Sequence, residues 1–307
     1  MRGIAALRGS LSLAITLLFI FAASRALVHA LPGDPIQALL AESGSKVQPE
    51  VLRAELGLDL SFSQGLIRDL KEWSQGNLGN ALISRQPIAP VIVQRTGATF
   101  RLAFGALSLA ITLGLLINLV AFAFREKIIG KVAYFWIQSW GALIAALPLP
   151  WLGPMLTWLV CVRFQIFPIA GGLLLPVLVL GTTLSGLWGR LIMNRMQDGL
   201  QHPSVQAARA RGVPELTVIF KYAFLPQAGS LLAFLGTQFG QLLGGAFLAE
   251  VIFEWPGLGT LLVDSVLRRD FPTFQAALFV SALFALLGTR LGDLLQTLLD
   301  PRQDGSS

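Results

Sequence analysis

The stretch LAFGALSLAITLGLLINLVAFAF, Leu102 to Phe124, holds no Asp, Glu, Lys or Arg in 23 residues. As a helix rising 1.5 Å per residue it would reach ~35 Å, enough to cross a hydrocarbon layer of ~30 Å. Further uncharged runs occupy residues 9–24, 132–162, 164–189, 222–249 and 271–289. The chain of 307 residues is 54% hydrophobic and only 13% charged, with a mean hydropathy of +0.68. Soluble domains carry about 25% charged residues, so this chain lacks a polar coat and reads as an integral membrane protein. The run 9–24 is short, but its apolar stretch continues past Arg25 to Ala30, and an arginine near a helix end can snorkel to the interface. The run 132–162 would reach ~46 Å, too short for two crossings. It reads as one helix, broken or kinked around Pro148, Pro150 and Pro154. The expectation is an all-α integral membrane protein with six transmembrane helices.

Charge between the runs sets an orientation. Arg2 and Arg8, then Arg125, Lys127 and Lys131, then Arg190, Arg195, Arg209, Arg211 and Lys221 put ten basic residues on one side, against Glu126, Asp198 and Glu215. The positive-inside rule makes that side cytoplasmic, together with both termini. Residues 31–95, with six basic and seven acidic residues, then lie outside. The expected organisation is a tail and first helix at 1–30, an external insertion at 31–95, a five-helix core at 96–299 and a cytoplasmic tail at 300–307. Within the insertion, Pro49 to Leu58 and Phe62 to Trp73 have helical spacing, and Gly76-Asn-Leu-Gly79 reads as a turn. A cleaved signal peptide ending at Val28-His29-Ala30 is the rival reading of the N-terminus. The apolar stretch is long for one, and Arg25 sits badly just before such a site.

Several chemistries have no signature here. Gly130-Lys131 is followed by Val132, so no GxxxxGK[ST] phosphate cradle exists; HExxH and GxSxG are absent. His29 and His202 fall on opposite sides of the membrane in this topology, and Cys161 is the single cysteine, so neither a histidine dyad nor a Cys/His metal set is expected. The high pI reflects basic residues beside apolar spans, a membrane pattern rather than a nucleic-acid one. Arg101, Glu250, Arg290 and Asp293 border or enter spans, where an interfacial or paired structural role is expected. Gly236-x3-Gly240-x3-Gly244 is small-residue spacing that lets helices approach closely, whether within the chain or toward another subunit. Asn118, Gln138, Ser139, Thr182, Thr183, Gln238 and Gln241 could line a polar path or bond between helices, the second being the plainer role.

The longest basic break in the second half is HPSVQAARARGVPELTVIFKYAFLP, His202 to Pro226. Ala207, Ala208 and Ala210 interleave with Arg209 and Arg211, all strong helix formers. Gly212 can end that helix at positive φ. Pro214 can sit in the first turn of a second helix, Glu215 to Phe224. A helix with an alanine and glycine face can enter a groove on another protein. An ordinary basic loop that holds the topology is the alternative.

The same residues carry a resemblance. Gln206-Ala207-Ala208-x3-Gly212 resembles the E-A-A-x3-G loop of ABC importer permeases, with Gln in place of the acid. Leu225-Pro226 lies one position later than that loop's pattern places Leu-Pro. Glu250-Val-Ile-Phe-Glu-Trp255-Pro256-Gly257-Leu-Gly259 resembles the E-x-[VI]-F-x-W-P-G-L-G segment of the dipeptide/oligopeptide/nickel permease family. Arg269-Asp270-Phe-Pro, Leu299-Asp300-Pro301-Arg302 and Leu31-Pro32-Gly33-Asp34-Pro35 resemble its R-D-Y-P, D-P-R and P-G-D-P. Leu56-Gly-Leu-Asp59, Gly76-Asn-Leu-Gly79 and Phe167-Pro-Ile-Ala-Gly171 match further segments, in order, along nearly the whole chain.

The resemblance implies a membrane-spanning subunit of an ATP-driven importer in a bacterial or archaeal cytoplasmic membrane. Its partners would be a second permease subunit, two ATPase subunits and an extracytoplasmic substrate-binding protein. ATP and magnesium would be bound by the ATPase, with no cofactor or metal in this chain and no enzymatic activity of its own. Gln206, Ala207, Ala208, Arg209, Arg211 and Gly212 would couple ATPase closure to alternating access. The cargo implied is a di- or oligopeptide, with nickel or another small solute as the alternative; a membrane-embedded enzyme or a channel is the rival class.

Overall fold

The structure, a computed structural model, describes residues 2–30, 60–146, 149–167 and 172–299. The described residues are helical throughout their ordered elements, with one isolated antiparallel bridge between Asn80 and Pro87. In chain order these are α1 (Arg2–Ala30), α2 (Phe62–Ser74), α3 (Ile88–Ala123), α4 (Ile128–Ala146), α5 (Leu149–Thr157), α6 (Leu174–Leu200), α7 (Pro203–Ala210), α8 (Glu215–Thr217), α9 (Ala228–Gly245), α10 (Phe247–Ile252), α11 (Leu258–Leu267) and α12 (Phe271–Leu299). Trp158–Arg163 extends α5 as a π-helical turn. Val218–Phe224 and Leu225–Gln227, π and 3-10 respectively, join α8 to α9.

Among the described residues, four helical stretches are long and apolar enough to cross a membrane: Ile88–Ala123, Leu174–Leu200, Glu215–Gly244 and Phe271–Leu295. Within the run 132–162, α4 is described to Ala146 and α5 from Leu149; Pro148, where a break or kink is expected, lies outside the described residues. Pro154 lies inside α5. The helix expected at Phe62 forms, opened by a capping box in which Ser61 and Gln64 satisfy each other's backbone N–H. The expected helix at Pro49 to Leu58 lies outside the described residues. α3 starts at Ile88, so the boundary drawn at 95/96 falls inside a continuous helix.

By compactness the chain forms two units, one of Met1–Thr99 and Pro256–Leu286, the other of Phe100–Trp255 and Leu287–Ser307. In the first, Ile88, Ile92, Leu258, Leu261, Ala276 and Ala277 form a core. Phe21 meets Trp73 and Phe279 edge to face at 4.8 and 5.8 Å. Arg25 does not snorkel. It is 4% exposed and pairs with Asp69 of α2, while Gly65 leaves room for the guanidinium because a side chain there would overlap it. The pairing offsets the cost of burying the charge and fastens the insertion to α1.

The second unit is packed through glycine. A Cβ on Gly186 would stand 2.9 Å from the Gly141 Cα, and one on Gly114 would stand 3.2 Å from the Gly189 N. α6 therefore approaches both α3 and α4 nearly backbone to backbone. Asn118, fully buried, donates from Nδ2 to the Gly114 and Gly189 carbonyls at 2.8 and 2.9 Å. It is an interhelical bond rather than a wall of a polar path. Gly236 and Gly240 of α9 face Gly292 and Gly288 of α12, with a Cβ on Gly236 falling 2.6 Å from the Gly292 Cα. For these two positions the small-residue spacing serves packing within the chain. Gly244 remains exposed.

Candidate functional site

The polar segment between α6 and α9 is built by local capping and by burial of one face. His202 caps α7, its Nδ1 accepting from the Ser204 backbone N–H at 3.3 Å, with Pro203 in the first turn. At the other end the Val213 N–H reaches the Ala208 carbonyl at 3.2 Å and the Gly212 N–H reaches Arg209 at 2.9 Å. Gly212 lies at φ +73°. This is the paired hydrogen-bond ending that a left-handed residue permits. A Cβ at Gly212 would meet no atom of the chain within 4 Å, so backbone conformation, not crowding inside this chain, explains the glycine.

Val205 and Ala208 are fully buried and pack with Val218 and Ala223. Gln206, Ala207, Arg209, Ala210, Arg211 and Gly212 are exposed. The expectation that the whole alanine face is offered outward is therefore corrected at Ala208, which seats α7 on its own chain. Pro214 is also displaced from its expected place. With φ −56° and ψ 138° it precedes α8 as the cap residue rather than opening the first turn. The second helix is α-helical for three residues before widening into the π turn Val218–Phe224. A π turn takes one more residue per hydrogen-bonded ring than an α turn. Leu225-Pro226, one position late against the resembling loop, follows directly on that turn.

Three devices hold this segment in place. The Arg209 guanidinium grips Glu215 through Nε at 3.2 Å and a terminal nitrogen at 2.7 Å, and Arg125 reaches the same carboxylate at 3.3 Å. Hydrogen bonding to Glu215 is the largest cause of the raised Arg209 pKa. The Arg211 Nε donates to the Ala207 carbonyl at 3.2 Å, closing the helix end. Gly199, in the last turn of α6, lies so near the Ala223 carbonyl that any side chain would strike it. Sequence alone makes Glu215 the start of the second helix and assigns it no partner. Its signal was being one of few acids in a basic stretch, six positions after Arg209.

The other family-like segments also end helices. α10 closes with Trp255 N–H to the Glu250 carbonyl at 2.8 Å and Glu254 at φ +51°. α11 closes with Asp270 N–H to Ser265 at 2.8 Å and Arg269 at φ +54°. A non-glycine residue in this left-handed region is disfavoured by about 1–2 kcal/mol, so both turns are held by their surroundings. Glu250 is completely buried and Trp255 is 7% exposed beneath Arg101, whose guanidinium lies 5.8 Å from the ring centre. Gly257 caps α11, and the Leu258 N–H donates to Thr99 Oγ1 at 2.9 Å. Gly259 is buried and Pro256 exposed. Asp270 is buried; its Oδ1 accepts from Leu82 N at 3.1 Å and from Thr273 N at 3.3 Å. Pro32, Gly33, Asp34, Asp300, Pro301 and Arg302 lie outside the described residues.

Long apolar helices packed through glycine, with a capped polar helix between two of them, define a multi-pass helical membrane protein. The family model described as "Binding-protein-dependent transport system inner membrane component" matches residues 110–305, and the chain belongs to that family. It is 31% identical over 300 residues to the glutathione transport system permease protein GsiC of Pectobacterium atrosepticum, covering 95% of each chain. The protein of the same name from Escherichia coli K12 is 30% identical over 283 residues, covering 89% of this chain and 90% of that one. In fold, the chain is similar to a crystal structure of an amino acid ABC transporter with histidines. The TM-score is 0.53 at 22% identity, over 68% of this chain and 94% of that chain. The chain is a permease subunit of a binding-protein-dependent ABC importer, a transport component rather than an enzyme. Membership implies ATPase and substrate-binding protein partners and a place in a bacterial inner-membrane transport system.

Proposed function

We propose that the chain imports a short peptide-like solute by alternating access, with α7 as the element that receives the ATPase stroke. The observation that carries the coupling role is the division of α7 into a buried anchoring face, Val205 and Ala208, and an exposed face bearing Gln206, Ala207 and Ala210. A helix fixed below and small above can enter a cleft and transmit a push without deforming. Arg211 and Gly212 border the exposed face; Arg209 holds it in register through Glu215.

In this reading two ATPase subunits bind ATP and magnesium, a second permease completes the pathway and an extracytoplasmic binding protein delivers cargo. Six spans, with α1 and the α4–α5 pair completing the count, place both termini and α7 on the cytoplasmic side. The basic residues beside α3, α6 and α7 support that orientation. Relatives named for glutathione transport support a peptide-like cargo.

The test is reconstitution with the partner subunits. Ala207→Trp should leave the subunits assembled in the membrane yet abolish uptake of labelled glutathione or dipeptide, because overpacking a close contact costs about 1–3 kcal/mol. Normal uptake by that variant sinks the coupling reading. Uptake of nickel but not of glutathione or dipeptides sinks the cargo reading alone.

A further inference from the structure

Two cavities lie along α3 and α4, and α6 walls the larger of them as well. The larger, about 490 Å³, is walled by Ile117, Ala133, Trp136, Ile137 and Trp140 together with interhelical glycines. Its hydroxyl donors are taken: Thr182 and Ser185 both donate to carbonyls of their own helix. The Trp140 indole N–H is likewise taken, donating to the Thr182 carbonyl at 3.1 Å. The smaller cavity, about 250 Å³, has a different lining: Ala121 and Phe122, then Arg125, Lys131 and Tyr134.

No residue lines both cavities, but Ile117, Ala133 and Ile137 of the first pack with Ala121 and Phe122 of the second. Ile117 lines the first and Ala121, about one turn on, the second; Ala133 and Tyr134 are neighbours on α4. From Gly114 to Arg125 the distance along α3 is ~16 Å, about the depth of one leaflet of a ~30 Å hydrocarbon layer. Trp136, on the apolar stretch, is 57% exposed, and Tyr134 at the basic end is 44% exposed. The groove therefore opens sideways along its length.

We propose that this groove holds one anionic phospholipid, an acyl chain lying along the apolar cavity and the phosphate facing Lys131, Arg125 and the Tyr134 hydroxyl. Charge selects the headgroup. Arg125 is shared with Glu126 and Glu215, whereas Lys131 forms no ion pair among the described residues, and Lys127 adds a third cation to the same linker. A zwitterionic headgroup would bring its ammonium against this cluster; an anionic one would not. Basic pockets between spanning helices bind anionic headgroups for this reason. The proposal rests on the chain spanning a membrane, not on the coupling role of α7.

Native mass spectrometry of the assembled importer, released from vesicles of equal phosphatidylglycerol and phosphatidylethanolamine, tests it. Phosphatidylglycerol should survive delipidation on this chain in preference to phosphatidylethanolamine. Lys131→Gln should lower its retention about fivefold, the weight of one basic residue at an anionic surface. Ala133→Trp, which fills the apolar cavity and leaves the charges alone, should also lower it. Equal retention of both lipids, unchanged retention in both variants, or a cross-link placing a segment of the second permease in the groove overturns the proposal. Retention is read without transport, so a failed coupling test leaves it standing.

Discussion

The Asp270 carboxylate accepts the Leu82 backbone N–H at 3.1 Å, joining residues 188 positions apart. The same oxygen accepts from Thr273 in the first turn of α12. One buried acid thus caps a spanning helix and ties the end of the insertion to it. Asp270→Ala should lower the thermal midpoint of the purified protein by an amount corresponding to about 1–3 kcal/mol, since two buried N–H groups lose their acceptor. Asp270→Asn keeps an acceptor oxygen and should recover much of the loss. Equal midpoints for the two variants would show that the acceptor is not what matters.

Gly288→Ala places a methyl group against the Gly240 backbone, where there is no side chain to yield. Destabilisation of about 1–3 kcal/mol or more is expected. Gly97→Ala supplies the contrast, because it lies in α3 with nothing within 4 Å of the new methyl. There the gain in helix propensity should stabilise by about 0.5–1 kcal/mol. Denaturation of both variants in the same detergent separates crowding from propensity.

Gly212 needs positive φ and has open space around it within the chain. Asparagine tolerates that conformation and valine does not. Gly212→Asn should therefore fold with near wild-type stability, while Gly212→Val should lose about 1–2 kcal/mol. Matching thermal midpoints for the two would refute the backbone argument. Loss of ATP-coupled uptake in a stable Gly212→Asn variant would point to a partner packed on that side.

Arg209 and Glu215 are both partly exposed, 37% and 43% by side chain. Their ion pair should add no more than about 1 kcal/mol to stability. Its expected effect is on coupling. Arg209→Ala and Glu215→Ala should each lower uptake per ATP hydrolysed, and the double variant should be no worse than the poorer single one. Additive losses in that cycle would mean the two residues act separately.

The membrane class and the positive-φ ending at Gly212 were legible because each depends on local composition or on one special residue. What escaped was set by partners distant in sequence. Arg25 looked like an interfacial anchor until Asp69, 44 residues on, came to it. Ala208 is chemically indistinguishable from Ala207 in sequence. Only the seat formed by Val218 and Ala223 turns one inward and leaves the other exposed. Glu254 and Arg269 gave no warning of left-handed geometry, since neither residue type favours it. The family segments were recognisable as strings, but the reason several of them recur at helix ends needed the hydrogen bonds.

The seam between α9 and α12 bears on how such a protein can move. Helices that meet through side chains can slip by exchanging rotamers, one well for the next. Where Gly236 and Gly240 lie on Gly292 and Gly288, main chain meets main chain, with the Thr237 hydroxyl lodged beside Gly292. The two backbones are held in register, because a shift would bring a Cβ-bearing neighbour to where a Cβ overlaps main chain. They form a single strut, so any rocking that opens and shuts a pathway has its slip plane where side chains, and not bare main chain, fill the gap.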